Sequence, residues 1–411
     1  MSRKGKSEDI YMKNGEKEKE PVLSGILLRL ERIKRGMGQK EVCYGICVPS
    51  YLSKIEHGGV CPDIELLEKL FARLGIVYEG RTEVLKEYKQ ALNRYFELLH
   101  YHLDTQEVFQ LLQKQDRLLQ FSPLALEWLL VQGLEGKGVL DSLQILEECM
   151  TSRQRAYYQI IRFRQGAAPQ EAVEYCQQAF DVLDNCFSLS ELCEAYILKG
   201  NYNAVHQLEN RYTAIALEEG NTYYLADYFF LKGTAYACLN MEKMMMTYYE
   251  RSIRFLQNTG WEKQLGEVYY NIGATYISFQ RYDLAMEYLE KATEGIHTLH
   301  KKAIACIRGG RLEEGRYFLE RFHKELLKAD DAKEADILRY KEACMECEQD
   351  FPDKPEYLEV LEALIIALKR DYHLGHVLFY KDVMVEACKR QRRYKRALEF
   401  EKEISSRIIN P

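Results

Sequence analysis

The scarcity of proline along the central part of the chain constrains its fold most strongly. Between Pro62 and Pro352 the only prolines are Pro123 and Pro169. Proline interrupts the hydrogen bonding of a helix, and the apolar residues of this stretch recur at helical spacing and do not alternate as they do in strands. We therefore expect an all-α protein.

Large and small residues recur at fixed slots within this helical stretch. The segment EVYYNIGATYISFQRYDLAMEYLEKATE matches the slots of a tetratricopeptide repeat. The matching residues are Tyr269, Ile272, Gly273, Tyr276, Tyr282, Ala285, Leu289 and Ala292. An earlier segment, FFLKGTAYACLNMEKMMMTYYERSIRF, fills the same slots, with Gly233 in the place of Gly273. Small residues let two antiparallel helices approach closely, so we predict that residues 81–411 stack as a right-handed solenoid of helix pairs.

The N-terminal region has a different pattern. Residues 1–21 are polar and rich in charge, with no periodicity that could bury a face, and are predicted to form a flexible arm. Residues 22–80 contain short amphipathic segments and are predicted to form a compact helical domain. The first forty residues carry eleven Lys and Arg against six Asp and Glu. This basic charge suits the docking of an anionic partner.

Two short helical patterns follow each other with almost no loop in the segment QKEVCYGICVPSYLSKIEHG, residues 39–58. Their apolar residues would dock one helix across the other and leave the second helix with a polar face that suits the major groove of DNA. Gln39 begins the preceding helix, where it is placed for a phosphate contact. The predicted DNA-binding residues are Gln39, Lys40, Pro49, Ser50, Tyr51, Ser53, Lys54 and His57.

This domain resembles the lambda-repressor-like helix-turn-helix family over residues 23–77. The residues that carry the resemblance are Arg32, Gly36, Met37, Gln39, Ile46, the run SYLSKIEHG and the closing PDIELLEKLFARLGI. The resemblance implies that Glu56 and Arg32 form an internal ion pair. Cys47 stands where the family usually has a turn glycine, and the connection to the second helix is one residue shorter.

A glycine-isoleucine-cysteine sequence directly before the second helix is typical of the peptide-responsive regulators of Gram-positive bacteria. With the repeats behind this domain, the whole chain is similar to the RRNPP group, and most similar to its PlcR type. The resemblance implies a transcription regulator that binds double-stranded operator DNA as a homodimer. It also implies control by a short signalling peptide, as in quorum sensing, bound in the concave groove of the repeats.

Repeat geometry predicts which residues face that groove, because the first helix of each repeat lines the concave surface. The predicted peptide-binding residues are Asp227, Phe230, Thr234, Glu267, Tyr270, Asn271 and Ala274, and Ala237 and Ile277 share their faces. Aromatic rings beside amides suit an extended peptide, whose backbone hydrogen bonds are otherwise unmet. The resemblance implies that Asn271 clamps the backbone of the ligand. A solvent-exposed amide on the inner face is the alternative interpretation.

Other features predict what the chain lacks. No apolar run is long enough to span a membrane and no signal peptide is evident, so we expect a cytoplasmic protein with reduced cysteines. Cys344 and Cys347 form one CxxC without a second pair, and the HTLH stretch that starts at His297 lacks the glutamate of a zinc-protease motif. We therefore expect no metal or other cofactor. No nucleophile, base and orienting residue form a set, so we do not expect an enzyme.

A second function stays open from the sequence. Tetratricopeptide repeats also dock proteins, so the chain could be an adaptor that holds a protein partner such as a response regulator. A DNA-binding regulator should lose sequence-specific binding when Lys54 or Tyr51 is replaced by alanine. An adaptor should keep its partner in a fragment that begins near residue 82.

Overall fold

The computed structural model describes residues 20–328, 332–372 and 374–409, and every regular element in these ranges is helical. The arm predicted for residues 1–21 lies outside the described ranges, apart from Glu20 and Pro21, which begin the first helix. The chain divides near residue 188 into two compact units. Within the described residues no helix is long and apolar enough to cross a membrane.

The first unit contains short helices in its N-terminal part and longer ones after them. They are α1 (Glu20–Lys34), α2 (Gln39–Cys43), α3 (Pro49–Glu56), α4 (Ile64–Arg73), α5 (Thr82–His100), α6 (Gln106–Gln113), α7 (Asp116–Gln120), α8 (Ala125–Leu134), α9 (Leu140–Ile145), α10 (Ser152–Arg164) and α11 (Pro169–Leu183). A 3₁₀ turn, Glu147–Cys149, follows α9.

Helices α1 to α4 surround a small apolar core. Val42, Leu52 and Ile55 are fully buried, as the sequence pattern predicts. Helix α1 crosses α3 at Gly25, where an added Cβ would lie 2.0 Å from the carbonyl oxygen of Ile55. Only glycine permits this close approach of the two backbones, so α3 is held firmly against the rest of the domain.

The N-terminal domain also packs on the helices that follow it. The Phe71 ring stacks on Tyr78 with a centroid distance of 4.8 Å and lies 6.2 Å from the ring of Phe121. The backbone N–H of Glu79 donates to the carbonyl of Phe121 at 3.0 Å. The boundary predicted between residues 80 and 81 therefore lies inside the first compact unit.

Helix α12 (Cys186–Lys199) spans the division, and the second unit continues as a series of helix pairs. Its helices are α13 (Tyr202–Gln207), α14 (Glu209–Glu219), α15 (Thr222–Cys238), α16 (Glu242–Leu256), α17 (Glu262–Ser278), α18 (Tyr282–Leu289), α19 (Ile296–Arg308), α20 (Leu312–Lys328), α21 (Glu334–Glu346), α22 (Pro355–Asp371), α23 (Leu374–Leu378), α24 (Lys381–Arg390) and α25 (Tyr394–Ile409). A 3₁₀ turn, Phe351–Asp353, precedes α22. The most extensive packing in this unit joins α15 to α16, α19 to α20 and α17 to α18.

Glycines mark the places where paired helices touch. An added Cβ at Gly233 would lie 2.5 Å from the Tyr249 ring, and one at Gly273 would lie 2.6 Å from Cγ of Leu289. These contacts join α15 to α16 and α17 to α18. They confirm the close approach that the sequence predicts at both glycines.

The turns inside the helix pairs also repeat. Asn240 after α15 and Gln280 after α17 both adopt left-handed backbone, at φ 60° and 58°. In each case the next N–H donates back to a tyrosine carbonyl in the last turn of the helix, Tyr236 or Tyr276. This is the Schellman arrangement, which satisfies the free carbonyls at the end of a helix and reverses the chain.

Candidate nucleic-acid interface and ligand groove

A buried carboxylate joins the first three helices of the N-terminal domain. Glu56, 1% exposed on α3, accepts hydrogen bonds from Nε and Nη2 of Arg32 on α1, at 2.6 and 2.9 Å. It also accepts one from Nε2 of Gln39 on α2, at 2.8 Å. The bond to Glu56 raises the pKa of Arg32. The predicted ion pair between Arg32 and Glu56 is confirmed, and it fixes the orientation of α3.

The turn between α2 and α3 explains the cysteine at position 47. Gly45, at φ 72°, supplies the left-handed residue of this turn. The glycine that the family places at the position of Cys47 therefore stands two residues earlier in this chain. Arg73 of α4 holds the end of α2 by donating to the carbonyls of Glu41 and Tyr44, at 3.2 and 2.9 Å.

The outer face of α3 carries most of the predicted DNA-binding residues. Pro49, Ser50, Lys54 and His57 are exposed, whereas Tyr51 and Ser53 are partly buried. Nδ1 of His57 donates to the carbonyl of Ser53 at 2.7 Å, which holds the imidazole against the last turn of α3. A convex helix face with polar and cationic side chains matches the shape and chemistry of the major groove.

The residues around α3 extend this surface. Lys40 on α2 is exposed, as a phosphate contact requires. The side-chain amide of Gln39 instead donates to Glu56, so the phosphate contact predicted for Gln39 would have to use its other groups or break that bond. Sequence reasoning missed Tyr44 and Val48, which are 78% and 62% exposed in the turn before α3. Their apolar character gave no sign of exposure, because the same pattern is common in buried turns.

The predicted groove residues of α15 are largely engaged with neighbouring helices. The carboxylate of Asp227 accepts hydrogen bonds from Oγ of Ser190 at 2.6 Å and from the Tyr212 hydroxyl at 2.9 Å. Burial raises the pKa of Asp227 to about 6. Oγ1 of Thr234 donates to the Phe230 carbonyl at 3.0 Å.

The α15 face is closed by packing as well. The hydroxyls of Thr234 and Tyr249 lie 3.1 Å apart, and the partly buried ring of Phe230 packs against that of Tyr249 at a centroid distance of 6.0 Å. Ala237, one turn further along, is partly buried. Little of this face offers a free polar group to a ligand.

The predicted groove residues of α17 are more open. Glu267 is exposed, and Tyr270, Asn271 and Ala274 are partly buried, whereas Ile277 belongs to the hydrophobic core. Nδ2 of Asn271 donates to the carbonyl of Glu267 at 3.0 Å, the one hydrogen bond that its side chain makes with the described residues. The amide therefore keeps a carbonyl and an N–H for a ligand.

Sequence reasoning also missed a group of basic side chains on α19 and α21. His297 and Lys301 on α19 lie near Arg339 on α21. The HTLH stretch signals this place, but only as an incomplete metal motif. Within the described ranges, no group of three or more His, Cys, Asp or Glu residues is arranged to hold a metal ion.

Residues 28–78 match the sequence profile of the helix-turn-helix family. A search of curated protein sequences finds no match to the chain. Among solved structures, the chain is similar to the Rap protein complexed with competence and sporulation factor, with 11% identity, a TM-score of 0.61 and coverage of 78% of this chain and 99% of that one. It is also similar to the apo form of the quorum sensor NprR from Bacillus thuringiensis, with 17% identity, a TM-score of 0.51 and coverage of 79% and 99%.

A third similar structure is PlcR of Bacillus thuringiensis in complex with the peptide PapR7 and DNA. It has 15% identity and covers 73% of this chain and 99% of that one, but its TM-score of 0.33 does not establish a common arrangement of helices. The comparisons confirm the N-terminal helix-turn-helix domain. They also confirm the all-α fold with a helical repeat body, which this chain shares with Rap and NprR.

Proposed function

We propose that the chain is a sequence-specific DNA-binding transcription regulator, controlled in quorum sensing by a short signalling peptide. The peptide binds the inner faces of the repeat helices, and the protein acts in the cytoplasm as a homodimer. The observation that carries the proposal is the union of a helix-turn-helix domain with a repeat body of the Rap and NprR fold. Fold alone does not fix function, so each half of the proposal has its own support and test.

The DNA-binding half rests on the geometry of α3. The Glu56 network fixes this helix, and its outer face presents Lys54 and Ser50 to solvent. Side chains of this kind read base edges and phosphates, and a homodimer would place two such helices in successive turns of the major groove. The proposal assigns Lys54 and Tyr51 to DNA contacts and leaves Glu56 a structural role.

The peptide-binding half rests on α17. Asn271 keeps hydrogen-bonding capacity on the same face as the aromatic ring of Tyr270. An extended peptide needs partners for its backbone and apolar surface for its side chains, and this face offers both. Two solved structures of similar fold support a signalling ligand for the repeat body as a whole: one is Rap complexed with competence and sporulation factor, and the other is the quorum sensor NprR.

The DNA-binding half is tested by selecting binding sites from a random double-stranded DNA pool with the full-length protein. We expect a recurring motif, and we expect Lys54→Ala and Tyr51→Ala to weaken binding to it by about tenfold each. Lys69→Ala is the matched control, because Lys69 is an exposed lysine on α4. Equal binding by the Lys54 and Lys69 variants would contradict the assignment of α3.

The peptide-binding half is tested by calorimetric titration with synthetic peptides, whose sequences are taken from small open reading frames beside the gene. Saturable binding that changes the affinity for the selected DNA supports the regulator, because allosteric coupling between two ligands is reciprocal. DNA binding without any peptide binding would contradict peptide control. The repeats would then be assigned to docking a protein partner.

A further inference from the structure

One face of α19 carries two side chains that no part of the proposed DNA or peptide contacts uses. His297 and Lys301 are four residues apart, so they lie on one face of the helix, one turn from each other. The His297 side chain is 42% exposed, whereas Lys301 is 5% exposed. His297 is thus accessible to solvent, and Lys301, one turn further along the same helix face, is almost fully buried.

Arg339 on α21 determines the tautomer of His297. Arg339 is 2% exposed, and its Nη1 donates to Oδ1 of Asp336 at 2.6 Å and to Nδ1 of His297 at 3.2 Å. Nη2 donates to Nδ1 of His376 at 3.1 Å, and Nε has no partner among the described residues. Because Nδ1 of His297 accepts, the neutral ring carries its proton on Nε2 and offers a donor at the surface.

Lys301 is a buried lysine with no hydrogen-bond acceptor among the described residues. Nζ lies 2.9 Å from the centroid of the Phe379 ring, and Lys301 forms no hydrogen bond or ion pair with any described residue. Two buried carboxylates, Glu342 and Glu346, act on Lys301 and favour its charged form, but neither forms an ion pair with it. Nε and Nη2 of Arg308 donate to Glu346 at 2.9 and 2.6 Å, and the Tyr357 hydroxyl donates to Oε1 of Glu342 at 3.1 Å. Burial lowers the pKa of Lys301 well below its usual value, and Arg339 lowers it further. An anion beside Lys301 would raise this pKa again, because it would stabilise the charged form of the lysine.

We propose that His297, Lys301 and Arg339 form a carboxylate-binding site, here called the α19 site, that receives the C-terminal carboxylate or an acidic side chain of the peptide. Nε2–H of His297 and the ammonium of Lys301 donate to the carboxylate, and Arg339 positions His297. The hydrogen bond from an ammonium to a carboxylate is short and charge-assisted, and the imidazole N–H adds a second donor to the same anion.

The α19 site adjoins the proposed peptide-binding face, and the inference rests on that proposed function. Tyr270 of α17, on the Asn271 face, is close enough to Arg339 for the guanidinium charge to act on its hydroxyl, although burial dominates and raises the pKa of Tyr270 to about 12. Helix α19 packs directly on α17, so a chain bound along Asn271 reaches His297 by extending over one neighbouring helix.

Affinity selection from two pools of random heptapeptides tests the carboxylate. The pools are identical except that one has free C-terminal carboxylates and the other has C-terminal carboxamides, and full-length protein captures peptides from each. The strongest binder is then titrated as the acid, as the amide, and with its Asp and Glu replaced by Asn and Gln. A tenfold loss on amidation identifies the C-terminus as the ligand, and a tenfold loss only on the side-chain replacement identifies an acidic side chain.

Equal affinity for all three forms would overturn the α19 site while leaving peptide binding intact. If neither pool yields a captured peptide, the proposed peptide binding and the α19 site would both be overturned. The two failures are therefore distinguishable.

Variants of the site test the residues themselves. Lys301→Met should weaken binding of the carboxylate form by at least tenfold and leave binding of the form without that carboxylate unchanged. It should not lower the melting temperature, because it removes a buried amine that has no hydrogen-bond acceptor among the described residues. Lys302→Met is the matched control, since Lys302 is the neighbouring buried lysine and lies 5.7 Å from the Phe318 ring instead. A lower melting temperature for Lys301→Met without a change in carboxylate preference would show a structural lysine and overturn the site.

His297 has a conservative replacement that separates its roles. Glutamine can present an N–H near the position of Nε2, whereas leucine cannot. His297→Gln should keep the preference for the carboxylate form and His297→Leu should lose it. Equal preference in both variants would remove His297 from the site.

Discussion

Helices α15 and α17 occupy the same slot in adjacent helix pairs, yet their inner faces differ. On α15, Asp227 is held by hydroxyls of other helices and Thr234 by groups of its own pair. On α17, Asn271 bonds only to its own helix among the described residues. Repeat periodicity therefore predicts which residues point inward, but not which of them remain available to a ligand.

The difference comes from neighbours that the repeat pattern does not describe. Ser190 on α12 and Tyr212 on α14 approach the carboxylate of Asp227 from outside its helix pair. A polar group in such a place is satisfied inside the protein and gains little by meeting a ligand.

The first prediction concerns the acid stability that Asp227 confers. Its pKa is about 6 in the folded chain against an ordinary 3.8, so the folded chain binds this proton more tightly than the unfolded chain. Between pH 6 and pH 4 the wild type should therefore gain stability as the pH falls, relative to Asp227→Asn, by up to about 3 kcal/mol. Urea unfolding of both proteins at several pH values measures the difference.

Asp283→Asn provides the control for this titration. Asp283 lies on α18 with 95% of its side chain exposed, so its variant should follow the pH dependence of the wild type. If the free energies of unfolding of the wild type and Asp227→Asn differed by the same amount from pH 7 to pH 4, the carboxylate of Asp227 would not be buried, and the interpretation of the α15 face as engaged by its neighbours would be wrong.

The second prediction concerns the close contact at a glycine that both helix pairs share. Gly273→Ala and Gly233→Ala should each lower the free energy of unfolding by about 2 kcal/mol, because the added Cβ would press on Leu289 or Tyr249. Chemical denaturation measures both. Gly295→Ala is the control, since an added Cβ there meets nothing within 4 Å. Unchanged stability in one pair alone would show that the two pairs do not share this contact.

The sequence predicts the fold more completely than it predicts the candidate sites. Gly233 and Gly273 were predicted because close helix packing requires small residues, and Glu56 because the family pattern pairs it with Arg32. The glycines follow from spacing within a helix pair, whereas Glu56 and Arg32 are 24 residues apart and their pairing follows from the family resemblance. The contact of Phe71 with Phe121 joins elements far apart in the chain, and neither periodicity nor motif indicates it.

The same limit applies to the sites. The engagement of Asp227 and the assembly of His297 with Arg339 depend on which helices become neighbours, and a single sequence does not state this. The exposed face of α3 was predictable because two adjacent short helices determine it. The assignments of Lys54 to DNA and of Asn271 to peptide stay predictions.

The third prediction compares ligand binding on the two faces. Asn271→Ala should weaken binding of the strongest captured peptide by about tenfold, because one partner of the peptide backbone is lost, and should change stability by less than about 0.5 kcal/mol. Thr234→Val should show the reverse, with unchanged peptide affinity and a stability loss of about 1 kcal/mol, because Tyr249 loses its partner. Titration calorimetry and denaturation separate the two. Similar effects of both variants on affinity would show that the α15 face also binds the ligand.

The smallest predicted effect concerns the turns that end α15 and α17. Both Asn240 and Gln280 have left-handed backbone, but asparagine tolerates this conformation better than glutamine does. Gln280→Gly should therefore raise the free energy of unfolding by roughly 0.5 to 1 kcal/mol, and Asn240→Gly by less. Gln280→Ala keeps the steric cost of a Cβ and should change stability little. If Asn240→Gly stabilised the protein as much as Gln280→Gly, the residue at this turn would not distinguish the two pairs, and their difference would lie entirely in the inner faces.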